Sequence, residues 1–158
     1  PTAGFRPSGV LIAWMALHLY LHVMLWWRFY GMPVIESFSF LHYLFLLVGP
    51  MCLLFASTML LPEEEDGRID MPAYLDRAQR RLFTFESGFW IWALVAGPLI
   101  EGQWDSEGYL WAIMVGISIA MAVTKAQAAR VSLTAGAWLI QLVFIFNEAL
   151  VLREVSTG

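Results

Sequence analysis

PSGVLIAWMALHLYLHVMLWW, residues 7–27, contains no Asp, Glu, Lys or Arg, and neither does SFSFLHYLFLLVGPMCLLFASTMLLP, residues 37–62. About 20 consecutive apolar residues cross the roughly 30 Å hydrocarbon core of a bilayer. Two such runs in succession read as membrane spans. Composition agrees. Of 158 residues, 59% are hydrophobic and only 14% charged, against roughly 45–50% and about 25% in a soluble domain. The mean hydropathy is +0.66. A water-soluble fold of this size could not bury so much apolar surface, and disordered, collagen-like and disulfide-rich classes are excluded by the same figures. The expectation is all-α: one polytopic transmembrane helix bundle over residues 1–158.

Working outward, five spans are predicted, at 7–28, 37–62, 82–100, 108–124 and 131–152, the fourth short enough that it could be re-entrant. The first is too long for a signal peptide and lacks both a preceding basic stretch and a cleavage site. Pro1 is read as following a removed initiator methionine. With five spans, Arg6, Arg68, Arg77, Arg80, Arg81, Lys125 and Arg130 collect on one side, and Arg28 and Arg153 on the other. Basic residues favour the cytoplasmic face, so the N-terminus is expected in the cytoplasm and the C-terminus outside.

The sizeable polar stretch is Glu63–Arg81. Asp70 suits a helix N-cap, with Pro72 in the first turn. Met71, Tyr74, Leu75, Ala78 and Leu82 recur at helical spacing. Residues 70–81 therefore read as a cytoplasmic amphipathic helix on the inner surface, either a docking platform or an arginine-rich topology signal. Small residues mark where membrane helices approach closely. Ala112, Gly116 and Ala120 form such a stripe on the fourth span, and Ser132 and Gly136 one on the fifth. Gly116 is expected to face another helix. Pro50 is expected to kink the second span.

Net charge is −4, and the basic residues are scattered, so no nucleic-acid surface is present. Cys52, the single cysteine, reads as a small buried hydrophobe. Ionisable groups at membrane depth are costly and are functional candidates by default. His18 and His22 lie four residues apart on the first span, His42 on the second, and Glu148 near the end of the fifth. At 1.5 Å per residue, His22 and His42 each fall about 9 Å below the outer surface and Glu148 about 7 Å below it. His22, His42 and His18 are thus candidate ligands for haem or (bacterio)chlorophyll, with Glu148 joining them for a metal ion. The competing reading is that the histidines bond across helices as structural glue, with no cofactor at all. Glu86, near the start of the third span, reads as a carboxylate that reaches back to the cytoplasm. The chain holds 8 Trp, 11 Phe and 5 Tyr. Trp26 and Trp27 suit an interfacial belt.

No Walker motif, GxSxG, HExxH or dinucleotide fingerprint occurs, so a non-enzymatic role is expected. The stretch Leu46–Phe83, with its Leu-Leu-Pro-acidic turn and Arg-rich continuation, resembles a family of small uncharacterised multi-pass bacterial membrane proteins. That resemblance implies a bacterial inner-membrane location and no particular chemistry. The expected function is a non-catalytic accessory or assembly subunit that sits in the lipid bilayer and packs against other membrane protein subunits. The alternative is a small haem-, pigment- or metal-binding membrane protein, and a transporter stands third.

Overall fold

The computed structural model describes residues 5–30, 39–62, 64, 69–100 and 108–157. Among them are five helices: α1 (Gly9–Tyr30), α2 (Phe40–Thr58), α3 (Met71–Ile100), α4 (Gly108–Val123) and α5 (Gln127–Thr157). Four carry stretches long and apolar enough to cross a membrane: Gly9–Phe29, Phe40–Thr58, Met71–Leu99 and Gln127–Asn147. The fifth, α4, has 16 residues and reaches about 24 Å. The chain is an all-α bundle, with four helices of spanning length and one shorter apolar helix among the described residues.

Each start has a local cause. Ser39 caps α2, its hydroxyl accepting the His42 backbone N–H at 3.2 Å. Asp70 caps α3 as expected, Oδ1 accepting from Ala73 N at 3.1 Å. The Ser8 hydroxyl accepts from Leu11 N at 3.4 Å at the start of α1. Two short strands, β1 (Phe5–Arg6) and β2 (Ile69–Asp70), pair in parallel just before α1 and α3. Both helices therefore leave the same end of the bundle.

One expectation is corrected here. Residues 70–81 do not form a separate surface helix: Met71–Ile100 is a single helix of 30 residues. Nothing between Ala73 and Ser87 is Gly or Pro, so no residue breaks the helix where the polar stretch meets the apolar one. Its first turns hold the α4–α5 connection. Gln79 donates to the carbonyls of Met121 and of Thr124 (2.6 Å to the latter). Arg130, buried at the start of α5, donates to Thr124 O at 3.1 Å and pairs with Asp76. Free C-terminal carbonyls of α4 are satisfied in this way.

α3 is central, packed against α2 on one side and α4 on another, while α1 packs against α5, α2 and α3. Trp14 sets the α1–α3–α5 register. Its indole N–H donates to Thr134 Oγ1 at 3.0 Å and its ring meets Phe83 edge-on at 4.7 Å. Between α2 and α3, Trp92 Nε1 donates to Phe45 O at 2.8 Å. Pro50 leaves the neighbouring Leu46 carbonyl without its helical partner. Gly49 makes room for the Trp92 ring, whose atoms lie 2.2 Å from where a Cβ would stand.

Candidate functional site

The polar centre of the bundle is built on His18 of α1 and Glu86 of α3, 2% and 0% exposed. His18 Nε2 and Glu86 Oε2 are 2.8 Å apart. They meet off the hydrogen-bond line, and neither atom has another partner among the described residues. Their neighbours dictate where hydrogens sit. Ser57 of α2 donates its hydroxyl to Leu53 O at 2.8 Å, so towards His18 Nδ1, also 2.8 Å away, Ser57 Oγ acts as acceptor. Nδ1 therefore carries the N–H, and in a neutral ring Nε2 is a bare lone pair. A carboxylate oxygen lies 2.8 Å from that nitrogen, to the side of its lone pair. Two acceptors at 2.8 Å repel unless one proton lies between them. The other oxygen, Oε1, accepts the Trp90 indole N–H at 2.7 Å, one turn along α3. The order Leu53–Ser57–His18–Glu86–Trp90 thus ties three helices together and defines a site for one proton.

Depth follows from the helices. His18 is nine residues into α1, about 13 Å, and Glu86 fifteen residues into α3, about 22 Å. The expectation that Glu86 reaches back to the cytoplasm is therefore overturned. The helix begins at Met71 rather than near Leu82, which puts Glu86 at mid-helix, fully buried. A carboxylate there requires a partner, and His18 is that partner.

The remaining sequence candidates fall elsewhere. His22 turns Nδ1 to His18 O, 2.8 Å away, on its own helix. His42 sits in the exposed first turn of α2 with Nδ1 2.8 Å from Ser39 Oγ. In both rings it is Nδ1 that is held, by the helix backbone in His22 and by the cap residue in His42. The Glu148 side chain lies outside the described residues. Among the described residues, no three His, Cys, Asp or Glu side chains gather as a metal site.

The small-residue stripe on α4 is also corrected. Ala112 and Gly116 are exposed, Ala120 is half-buried, and nothing lies within 4 Å of a Cβ built on Gly116. The inward face of α4 is Leu110, Trp111, Met114, Ser118 and Met121, because the large side chains fill the space against α3 and α5. On α5, Ser132 is exposed, while a Cβ on Gly136 would stand 3.7 Å from Ile117 of α4.

Sequence reading passed over Ser57, Ser118 and Gln141. The last two are 0% and 1% exposed, and Ser118 Oγ and Gln141 Nε2 have no partner among the described residues. The usable signal was the Glu86–Trp90 spacing of four, which places the indole over the carboxylate on one helical face. No protein-family model matches the chain, and neither the curated proteins nor the solved structures include a significant match.

Proposed function

We propose that this chain is a non-enzymatic, proton-handling membrane protein whose working part is the His18–Glu86 dyad at the middle of the bundle. The observation that carries the reading is the 2.8 Å approach of Nε2 to Oε2 in a buried interior, with the flanking hydrogen bonds assigned to Nδ1 and Oε1. Without the shared proton the dyad holds a net charge of −1 in an apolar interior. With it, the dyad is neutral, either as imidazolium–carboxylate or as imidazole–carboxylic acid. Proton binding therefore changes the electrostatic cost of holding α1, α2 and α3 together, and intramembrane Glu and His pairs are a recurrent element of proton relays. The haem, pigment or metal reading has less support, since the Glu86 carboxylate covers His18 Nε2 and no three His, Cys, Asp or Glu side chains gather among the described residues.

Infrared difference spectra of the reconstituted protein between acid and alkaline buffer test this. A pH-dependent change in the Glu86 carboxyl or carboxylate bands is expected in the wild type and is lost in Glu86→Gln. The Gln amide can donate to Nε2 and still accept from Trp90, so that variant keeps the packing while removing the proton site. Identical difference spectra in the two proteins would overturn the reading.

A second reading keeps the chain as an accessory subunit of a larger membrane assembly, in a bacterial inner membrane with its N-terminus in the cytoplasm. The outward Ala112–Gly116–Ala120 face favours it, since bare backbone on a lipid-facing helix admits another helix closely, and the basic residues favour that orientation. Gly116→Leu is expected to strip co-purifying membrane subunits in mild detergent. An unchanged set of partners would count against docking at this face.

A further inference from the structure

We infer that the exposed face of α3 between α2 and α4 holds one anionic phospholipid, with its headgroup on Arg80 and Arg81 and an acyl chain along the strip up to Ile91. This goes beyond the His18–Glu86 dyad and does not depend on it. It rests on α3 crossing the bilayer.

Helical phase defines the strip. From Arg77 to Ile91 the exposed positions of α3 are Arg77, Arg80, Arg81, Thr84 and Ile91. At 3.6 residues per turn they fall within less than a third of the helix circumference. α2 and α4 both pack on α3, and they border this strip from opposite sides. On one side, Phe55 of α2 meets Phe85 at 5.4 Å, and Cys52 lies against Gly88. On the other, Gln79 donates to the Met121 and Thr124 carbonyls at the end of α4, and Trp90 stacks on Trp111. Neither neighbour covers the strip between them.

Length sets the levels. From Leu82 to Ile100 the sequence carries one charged residue, the buried Glu86. That run rises about 28 Å, close to the roughly 30 Å of a hydrocarbon core. Arg80 and Arg81 immediately precede it and so stand at headgroup level. From Arg80 to Ile91 the helix rises about 16 Å, the depth of one leaflet. Thr84 turns its hydroxyl to Arg80 O at 2.7 Å, so an acyl chain laid along the strip need not strip water from it. Ile91 is 48% exposed and offers that chain an apolar contact.

Charge selects the headgroup. Asp70 pairs with Arg6, Asp76 with Arg130, and Glu86 lies against His18. Among the described residues no carboxylate, Glu64 included, pairs with Arg80 or Arg81. Arg77, one turn before Arg81, adds its charge to the same face. Lys125 follows Thr124, whose carbonyl Gln79 holds at 2.6 Å, and is exposed at the same end of the bundle. The chain as a whole has a net charge of −4, so this is a local excess that folding assembles. Guanidinium groups take phosphate oxygens in paired hydrogen bonds, and basic residues at the membrane surface attract anionic lipid. A zwitterionic headgroup would leave the excess charge uncompensated. A free anion or an acidic polypeptide would meet the arginines and leave the apolar part of the strip unused.

The full chain, purified in detergent, is titrated with phosphatidylglycerol and separately with phosphatidylcholine of the same acyl chains. Native mass spectrometry counts the lipid retained. Phosphatidylglycerol should be held at least about tenfold more tightly, given roughly fivefold per basic residue near a lipid surface. Arg80→Gln/Arg81→Gln should abolish the difference. Arg80→Lys/Arg81→Lys keeps the charge without the planar fork and should restore most of it, which separates loss of the site from loss of the fold. Ile91→Trp fills the strip with every charge intact and should lower phosphatidylglycerol retention several-fold. Equal retention of the two lipids, or a preference unmoved by the glutamines, would overturn the inference. So would retention indifferent to Ile91→Trp, the mark of a diffuse charged rim, or an acidic polypeptide retained in place of lipid.

Discussion

Removing one partner of the dyad is expected to destabilise the bundle by about 3–5 kcal/mol, the usual cost of leaving a buried charge without its counterpart. His18→Leu leaves Glu86, 0% exposed, with only the Trp90 indole to solvate it. It also strands the Ser57 hydroxyl oxygen. Glu86→Leu leaves Nε2 of His18 and the Trp90 N–H unpaired. The double substitution His18→Leu/Glu86→Met removes both charges at similar volume and should recover most of the loss, because well-packed apolar side chains replace buried ion pairs at little cost. Thermal unfolding in a mild detergent, read by circular dichroism across the four proteins, gives the coupling directly. If the double variant is as unstable as the sum of the singles, the two residues are not acting on each other.

The second large effect is expected at Gly49. A Cβ there would stand 2.2 Å from Cδ2 and Cε3 of Trp92 and 2.6 Å from Cζ3. The indole cannot swing aside easily. Its N–H is bonded to Phe45 O and its ring stacks on Phe89 at 6.0 Å. Gly49→Ala should therefore cost about 1–3 kcal/mol through overpacking, with about 1 kcal/mol more if the Trp92 hydrogen bond breaks. Pairing it with Trp92→Leu should relieve the clash, so the double variant should be more stable than additivity allows. The same unfolding measurement decides it. A Gly49→Ala protein of wild-type stability would mean that α2 and α3 do not pack closely at this point.

These two sites differ in how far the residues announce them. Gly49-Pro50 is visible as a break in an apolar run, yet the reason for the glycine is a ring on α3, 43 residues away in sequence. Glu86 is visible as a charge in an apolar stretch. Its importance depends on where α3 begins, and that turns on an uninterrupted run from Ala73 to Ser87 joining two segments of opposite character into one helix. The histidines were visible too. Which of them matters was not, because His18, His22 and His42 look alike until their directions around the helix axis are known.

Chain composition and the lengths of its apolar runs determined the all-helical class and the membrane-spanning lengths, because the hydrophobic thickness of a bilayer and the rise of a helix are constants that a run of residues either meets or does not. The caps were equally local: Asp70 bonds a backbone N–H three residues ahead, and no distant contact is needed. Tertiary structure alone decided rotational phase. A soluble amphipathic helix announces its inner face by hydrophobic periodicity. Helices apolar on every side, such as α4, carry no such mark, and the face turned inward is chosen by the fit of large side chains between neighbours. So Gly116 went outward, Trp111 and Met114 inward, and His18 was brought within 2.8 Å of a buried carboxylate.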